Sequence, residues 1–472
     1  MNTSNELNKK NLNITRLIIT SDPQYPWTPK MDAGTSNESE NEKKRVSENL
    51  IREQYNNINN YIYAHGAAPV IINGDITAYG HPWQRSKMNE LLNGLMIRHF
   101  YGLGNHDIEN NLNNCVDNRC TAGSLSDLYW HTRRMPESIL DEVDIKKSDL
   151  PHGKTALKGS FAYSINYGDL YLIQLNNYPT MEIESKPIFG DHFQMNSTLN
   201  WLEKVLKKAK SLEKSIIVNV HKPNGWKNER FTKLIEYYGV KAVFAGHYHT
   251  VLGLQTNYQE NFGSIPVFLS GSASQETYLI LEQTEQAINI YSVCNNDFEK
   301  KTLEASIMMG NYKIKTALND TSGVDVSASG NKNVHLYQDN DTQRHQWSLF
   351  YNARKDAYQI TNLWTEDVLT WDLFSNSRNV FITKNEHKEE QYWILENIEN
   401  GYYIIKSKAN EKLVLNVEGG KTNNNTNINV HEKNNTAAQK FKLKPVIIQG
   451  AYKIKTALNG TSGVDVSSAG DK

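Results

Sequence analysis

The sequence predicts an α/β domain with mixed sheets, followed by an all-β repeat module. Three observations predict it. Apolar, β-rich runs in the first 300 residues each lead into Gly, Asp, Asn, Ser or His, and helical patterns separate the early ones. A segment beginning at Gly310 returns almost unchanged at Gly450, a period of 140 residues. Within that period, aromatic residues that follow a polar residue by two positions recur at spacings of 46 and 48.

The runs are Leu17 to Ile19, Val70 to Ile72, Ile216 to Val220, Val240 to Phe244 and Pro266 to Leu269. Between the first two, Lys43 to His65 carries Val46, Leu50, Tyr55, Ile58 and Ile62 at helical spacing; Leu199 to Ala209 carries Leu199, Leu202 and Leu206 in the same way. From Phe161 to Leu175 the period switches to two around Tyr167-Gly168-Asp169, which reads as a hairpin and makes the sheet mixed. Further on, His345 and Trp347, Gln391 and Trp393, and Gln439 and Phe441 end three units of about 47 residues.

At 472 residues the chain exceeds what one core usually supports. The expected layout is a tail over 1–14, an α/β domain over 15–300, a linker over 301–309 and a three-unit module over 310–447. Residues 450–472 would begin a second module that stops mid-unit, a loose tail from a longer protein.

Lys plus Arg number 51 against 52 Asp plus Glu, so the chain lacks the basic field of a duplex or RNA binder. No run of 18 apolar residues marks a membrane span, and the first twenty residues lack the apolar core of a signal peptide. Cys115 and Cys120 either close a small loop in an oxidising compartment or remain two reduced thiols.

The chemistry concentrates in five places in chain order: Ser21-Asp22-Pro23-Gln24, Asn73-Gly74-Asp75, Gly104-Asn105-His106-Asp107, Val220-His221-Lys222-Pro223 and Ala245-Gly246-His247-Tyr248-His249. Polar residues just past the carboxyl ends of α/β strands converge on one crevice. Carboxylates, amides and imidazoles without thiolate suit two hard or borderline ions such as Mn, Fe or Zn. Two such ions can stabilise the attacking and leaving oxygens of a phosphoryl displacement. His131, His152 and His192 fall in no motif and read as surface or loop residues.

The order and spelling of these motifs resemble the calcineurin-like metallophosphoesterase superfamily over about residues 15–295, with Gln24 where the usual pattern has histidine. The resemblance implies mixed sheets in a sandwich flanked by helices. It also implies a first metal held by Asp22, Gln24, Asp75 and His249, and a second held by Asp75, Asn105, His221 and His247, with Asp75 bridging. His106 would serve the leaving group as proton donor or charge stabiliser, and Asp107 would fix its tautomer. The stretch from Ile108 to about Lys158, which lacks strong periodicity, would form much of the substrate wall.

The three-unit module, with its Gln-x-Trp-like endings, resembles the ricin B-type lectins, which implies a β-trefoil. Its first unit would bind carbohydrate through Asp325, Tyr337 and Asn340, since sugar hydroxyls take carboxylate and amide bonds and sugar faces stack on rings. The corresponding Ile382 and Asn416 of units two and three do not supply the same groups. Together the domains imply hydrolysis of a phosphate mono- or diester, targeted to glycans and so to a place outside the producing cell. The alternative is a lectin or toxin-like carbohydrate-binding protein whose phosphoesterase fold is inactive, with Gln24 as its one supporting residue.

Overall fold

The structure, a computed structural model, describes residues 14–284, 286–319, 321–375 and 377–446. Its chain divides into two compact units. Among the described residues, one takes in those up to Met309 together with Leu349–Ile360 and His387–Ile394, and the other takes Gly310–Ser348, Thr361–Glu386 and those from Leu395 to Val446. Among the described residues, no helix is long and apolar enough to cross a membrane.

In the first unit, one six-stranded sheet runs Thr302–Met308, Ala287–Val293, Tyr278–Gln283, Thr15–Thr20, Val70–Asn73, His99–Gly102. Its last three strands are parallel and the rest antiparallel. A seven-stranded sheet runs Leu252–Gln255, Val267–Ser270, Ala242–Ala245, Ser215–Asn219, Leu170–Gln174, Tyr163–Tyr167, Leu140–Val143. Its middle is parallel, and the predicted hairpin pairs Tyr167 with Leu170. The mixed sheets expected from the sequence are therefore present.

Alternation along the strands makes the sandwich. Ile217, Phe244 and Phe268 share one core with Leu17, Ile19, Ile71 and Leu279, which the strand register puts on one face of the other sheet. Their neighbours Ile216, Val218, Val243 and Val267 point the opposite way, into a core with Leu202 and Leu206 of helix Leu199–Ser211 and Phe231 of helix Glu229–Tyr237. Both faces are buried, which is why these strands read as continuous apolar runs.

Helix Glu40–His65 starts three residues before the predicted Lys43, because the Ser39 hydroxyl caps it by accepting from the Glu42 amide at 3.3 Å. Its buried face is Ser47, Ile51, Gln54, Tyr55, Ile58 and Tyr61, one position round from the expected Val46 and Leu50. Gln54 explains the offset: its amide donates to Thr277 O at 2.9 Å and accepts from the Thr20 hydroxyl at 3.0 Å, so a polar residue occupies the core face.

Three expectations need correction. The segment read as a linker contains strand Thr302–Met308, paired with Ala287–Val293, with Ile307 and Met308 buried. The stretch after Ile108 contains the 15-residue helix Arg119–Arg133, whose buried face mixes Leu125 and Leu128 with Cys120, Thr121, Ala122, Ser124 and Thr132, which dilutes its hydrophobic period. His131 lies on that helix with its ring 4.3 Å from Tyr101, so it is packed rather than superficial; His152 is exposed in a turn, and His192 begins strand His192–Met195. Cys115 and Cys120 are disulfide-bonded, with Cα atoms 5.5 Å apart.

The region from Gly310 on is β-rich, its described strands running from Asn311–Thr316 to Phe441–Pro445. Three 3-10 turns, Gln343–His345, Glu389–Gln391 and Ala437–Gln439, each lead into a strand whose first or second residue is Trp347, Trp393 or Phe441, all fully buried. This is the repeat read from the sequence, in a β-trefoil. Strand Asn311–Thr316 pairs with Phe441–Pro445, so the first and last repeats close on each other. The predicted second copy from Gly450 lies outside the described residues.

Candidate metal centre and the trefoil site

The loops that follow five strands of the sandwich carry the five motifs, and backbone hydrogen bonds tie those loops together. Asp22 N donates to Gly74 O at 3.1 Å and Gln24 N to Asp75 O at 2.9 Å, which sets the first motif against the second. Gly246 N donates to His221 O at 3.0 Å, and His247 N donates to Asp22 Oδ2, also at 3.0 Å. Close approach requires glycine at two positions: a Cβ on Gly104 would overlap the Asp75 carboxylate, and one on Gly246 would overlap Ser21 Oγ and Asp22 Oδ2.

Asp75 is central. Its Oδ1 accepts from His106 N at 2.8 Å and its Oδ2 lies 3.2 Å from His221 Nε2, while ligand atoms of Asp75, His221 and His247 all fall within 4.8 Å of one another. His221 Nε2 also lies 2.8 Å from Asn105 Oδ1. On the other side, His249 Nε2 lies 3.2 Å from Asp22 Oδ1. Asp22, Gln24, Asp75, Asn105 and His221 are all buried.

The donor set fits divalent ions. Asn73 O can only accept, so the 2.7 Å bond from His221 Nδ1 leaves Nε2 as the nitrogen that faces Asp75 and Asn105. His249 Nδ1 likewise meets Asp32 Oδ1 at 2.5 Å, leaving Nε2 toward Asp22. Both amide atoms of Gln24 are buried without a hydrogen bond among the described residues, and Asp22 Oδ1 has only His249 Nε2 beside it. Uncompensated polar atoms of this kind are costly in a folded core. A bound cation would engage the Gln24 oxygen and Asp22 Oδ1.

Without a cation the acidic side chains hold protons on the His221 and His249 imidazoles instead, and a bound ion would displace them. Burial opposes ionisation of Asp75, but the His221 charge and hydrogen bond outweigh it and hold the carboxyl down at about 2. His221 is raised to about 9, burial being overcome by the Asp75 and Asp22 charges, and His249 to about 10 by its bonds to Asp22 and Asp32. His247 goes the other way, to about 3, through burial and the neighbouring His221 charge.

Sequence reasoning misplaced one contact and missed one residue. Asp107 does not touch the His106 ring; its oxygens accept from the amides of Ile76, Thr77 and Gly104 and from the Thr77 hydroxyl at 3.0–3.1 Å. It shapes the Asp75 loop, while His106 Nδ1 donates to Ala78 O at 2.8 Å. Burial and then the Asp75 charge raise Asp107 to about 7, against the pull of those amide donors. The missed residue is Asp32. Besides His249, it accepts from Trp27 Nε1 at 2.7 Å, Ser274 Oγ at 2.5 Å and Gln275 Nε2 at 2.7 Å. Its one sequence signal is Thr28-Pro29, a cap and first-turn proline that open the short helix Pro29–Asp32. Trp27 and Tyr79 set ring edges against His106 at centroid distances of 5.3 and 6.0 Å.

In the trefoil, Asp325 pairs with His335 across a hairpin and Gly323 with Tyr337, so Asp325 and Tyr337 share one face. Asp325 is only 1% exposed, with His335 Nε2 and His345 Nδ1 each 3.3 Å from its oxygens and Arg344 Nε at 3.9 Å. The expected open carboxylate is thus enclosed by three basic side chains. Tyr337 is half-buried, and Asn340 is exposed with its Oδ1 accepting from the Thr342 hydroxyl at 2.8 Å.

Comparison with known proteins bears on both units. No curated protein matches the chain. Among solved structures, the designed 3-fold symmetric protein ThreeFoil is 21% identical, covering 29% of this chain and 100% of that one, with a TM-score of 0.27. A mosquitocidal holotoxin is 21% identical over 46% of this chain and 30% of its own, with a TM-score of 0.28. The Rhizoctonia solani agglutinin is 18% identical over 29% of this chain and 95% of its own, with a TM-score of 0.26. The family model for the ricin-type beta-trefoil lectin domain-like family matches residues 389–472. That for the calcineurin-like phosphoesterase family matches residues 15–251, just over half of the chain. Carrying that match on a sandwich whose strand-end loops bring its motifs together, the chain belongs to the calcineurin-like phosphoesterase family.

Proposed function

We propose that the first domain hydrolyses a phosphate ester at a dinuclear metal centre and that the trefoil directs it to glycans. The observation that carries this reading is the cluster itself: Asp22, Asp75, Asn105, His221, His247 and His249 meet in one mostly buried polar site beside the unpartnered Gln24 amide. Asp22, Gln24, Asp75 and His249 would hold one ion, and Asp75, Asn105, His221 and His247 the other. When bound, such ions supply Lewis acidity and a water acidic enough to attack at neutral pH.

The chain's own residues orient and move protons. The Asn73 carbonyl and Asp32 fix His221 and His249 as Nε2 ligands. With Nδ1 donating to Ala78 O, His106 keeps Nε2 free to carry the proton that the leaving oxygen takes. Trp27 and Tyr79 hold that ring in place and restrict water beside it. For the trefoil, the first repeat offers Tyr337 as a stacking ring and Asn340 as an exposed amide, with Asp325 buried on the same face as Tyr337.

The test is metal content and turnover together. Protein loaded with Mn, Fe or Zn should take up close to two ions and hydrolyse bis(p-nitrophenyl) phosphate or p-nitrophenyl phosphate, and Asp75→Ala should lose both properties. Protein that takes up no transition metal refutes the enzymatic reading and leaves the inactive, glycan-binding alternative that Gln24 favours.

A further inference from the structure

A cavity of about 670 Å³ lies at the edge of the six-stranded sheet, between strand His99–Gly102 and helices Pro82–Leu92 and Arg119–Arg133. None of the candidate metal ligands lines it. Its size is that of a pocket for a small organic ligand, and three features of its wall select the chemistry of an occupant.

The first is charge. Arg98 and Arg134 are both exposed on the wall, and among the described residues neither guanidinium has a hydrogen-bond or ion-pair partner. Asp127, the wall's carboxylate, is already neutralised by Arg85 at 2.6 Å. Two guanidiniums are thus uncompensated, and both act on the same His131 ring. Planar guanidinium groups match carboxylate, phosphate and sulfonate oxygens in a fork geometry that a single ammonium does not offer.

The second feature is a set of rings. His99 and His131 stack with centroids 5.5 Å apart and planes 17° from parallel, and Tyr101 lies 4.3 Å from His131. Trp130, on the same wall, is 53% exposed, an uncommon position for the largest apolar side chain in a helix that buries its other face. Burial, reinforced by nearby arginine charge, pushes His99 down to about 4 and His131 to about 3, so this stack is uncharged at neutral pH. The third feature is a spare polar group: His131 Nε2 is inaccessible to solvent and has no hydrogen-bond partner among the described residues.

We propose that this cavity is a second binding site, for a small organic anion carrying a flat ring, with the anionic group taken by Arg98 and Arg134 and the ring by Trp130 and the His99–His131 stack. An inorganic anion would use only the arginines, and a neutral aromatic only the rings, so the combined ligand should bind tightest.

Naphthalene-2-sulfonate, which a phosphoesterase cannot hydrolyse, is a suitable probe for calorimetric titration of the full, metal-loaded chain. The expected result is one saturable site per chain that binds the probe at least tenfold tighter than inorganic sulfate. It should survive Asp75→Asn and weaken at least tenfold in the double variant Arg98→Gln, Arg134→Gln and in Trp130→Ala. The altered side chains are exposed, and an unchanged thermal midpoint would show that the fold is intact. Absence of saturable binding overturns the proposal. So does binding that the arginine pair does not affect, and binding lost in Asp75→Asn while kept in the arginine variant would move the probe to the metal centre.

Discussion

Asp32→Asn isolates the contribution of a residue that touches no candidate ion. The Asp32 Oδ1 atom accepts from Trp27 Nε1 and His249 Nδ1, and Oδ2 accepts from Ser274 Oγ and Gln275 Nε2. An asparagine oxygen in the Oδ1 position keeps the first two bonds. Its amino group then faces Ser274, whose hydroxyl can turn to accept, and Gln275, whose amide can flip. The geometry should survive, but the charge is gone. His249 loses a charge-assisted bond for a neutral one, a difference of about 1 to 1.5 kcal/mol. That corresponds to roughly tenfold weaker metal binding at the site containing His249, at the lower end of what loss of an outer carboxylate partner costs. Asp32→Ala, which leaves four donors without an acceptor, should cost more. Competition with a chelator, read by Mn release, measures both, and far-ultraviolet circular dichroism checks the fold. Unchanged affinity in both variants would refute the claim that Asp32 supports His249 as a ligand.

His106→Asn should lower turnover about 10²- to 10⁴-fold for an ester with a poor leaving group, and less for a p-nitrophenyl ester, while elemental analysis finds metal content unchanged. Gln24→His should slow chelator-driven loss of the more weakly held ion, because imidazole is a better ligand than an amide oxygen. Asp325→Ala removes a buried carboxylate from among His335, His345 and Arg344, so it should destabilise the trefoil by about 3 kcal/mol, seen as an earlier thermal transition. His99 and His131 stay neutral in the fold while the unfolded chain takes up protons near pH 6.5. Stability should therefore fall from about pH 6.5 toward 4, by up to about 2 kcal/mol per residue at pH 5, and His131→Phe should flatten that slope in denaturant titrations.

What the sequence displayed was determined by how locally each feature is encoded. The parallel strands were legible because both faces are buried, so Ile216-Ile217-Val218 is apolar throughout although its residues serve two different cores. The strand-end motifs were legible for a related reason: short spacings such as His247-x-His249 and Gly104-Asn105 are fixed by the backbone over a few residues. Asp32 was not, because its partners Ser274 and His249 lie more than 200 residues away and nothing in its own neighbourhood differs from a helix start. Asp107 was misjudged because adjacency in sequence to His106 suggested contact; the short helix Asn105–Ile108 turns its side chain back onto the amides of residues 76 and 77 instead. The surroundings of Asp325 were hidden in the same way: an aspartate early in a repeat reads alike whether it faces solvent or His335 across the hairpin.

Backbone strain gives a further reason to locate function at the strand ends. Asp22, Gln24, Asp75 and His247 all have positive φ, at 51°, 38°, 50° and 76°, in a region that non-glycine residues enter at a cost of about 1–3 kcal/mol each. Glycine at these positions would remove the strain and with it the side chain. The conformation holds because separate loops fix one another: Asp22 N is bound to Gly74 O, Gln24 N to Asp75 O, and His247 N to the Asp22 carboxylate. The Gln24 amide, with both polar atoms buried and without a hydrogen bond among the described residues, belongs to one of the same four residues. Strained backbone and unpartnered polar atoms are each destabilising, and a fold selected for stability alone would not combine them at Gln24 while repeating the strain at three strand ends. A cation engaging the Gln24 oxygen would offset both costs at once, so metal loading should raise the thermal midpoint of the first domain, and Gln24→Gly should reduce that increment while stabilising the metal-free protein.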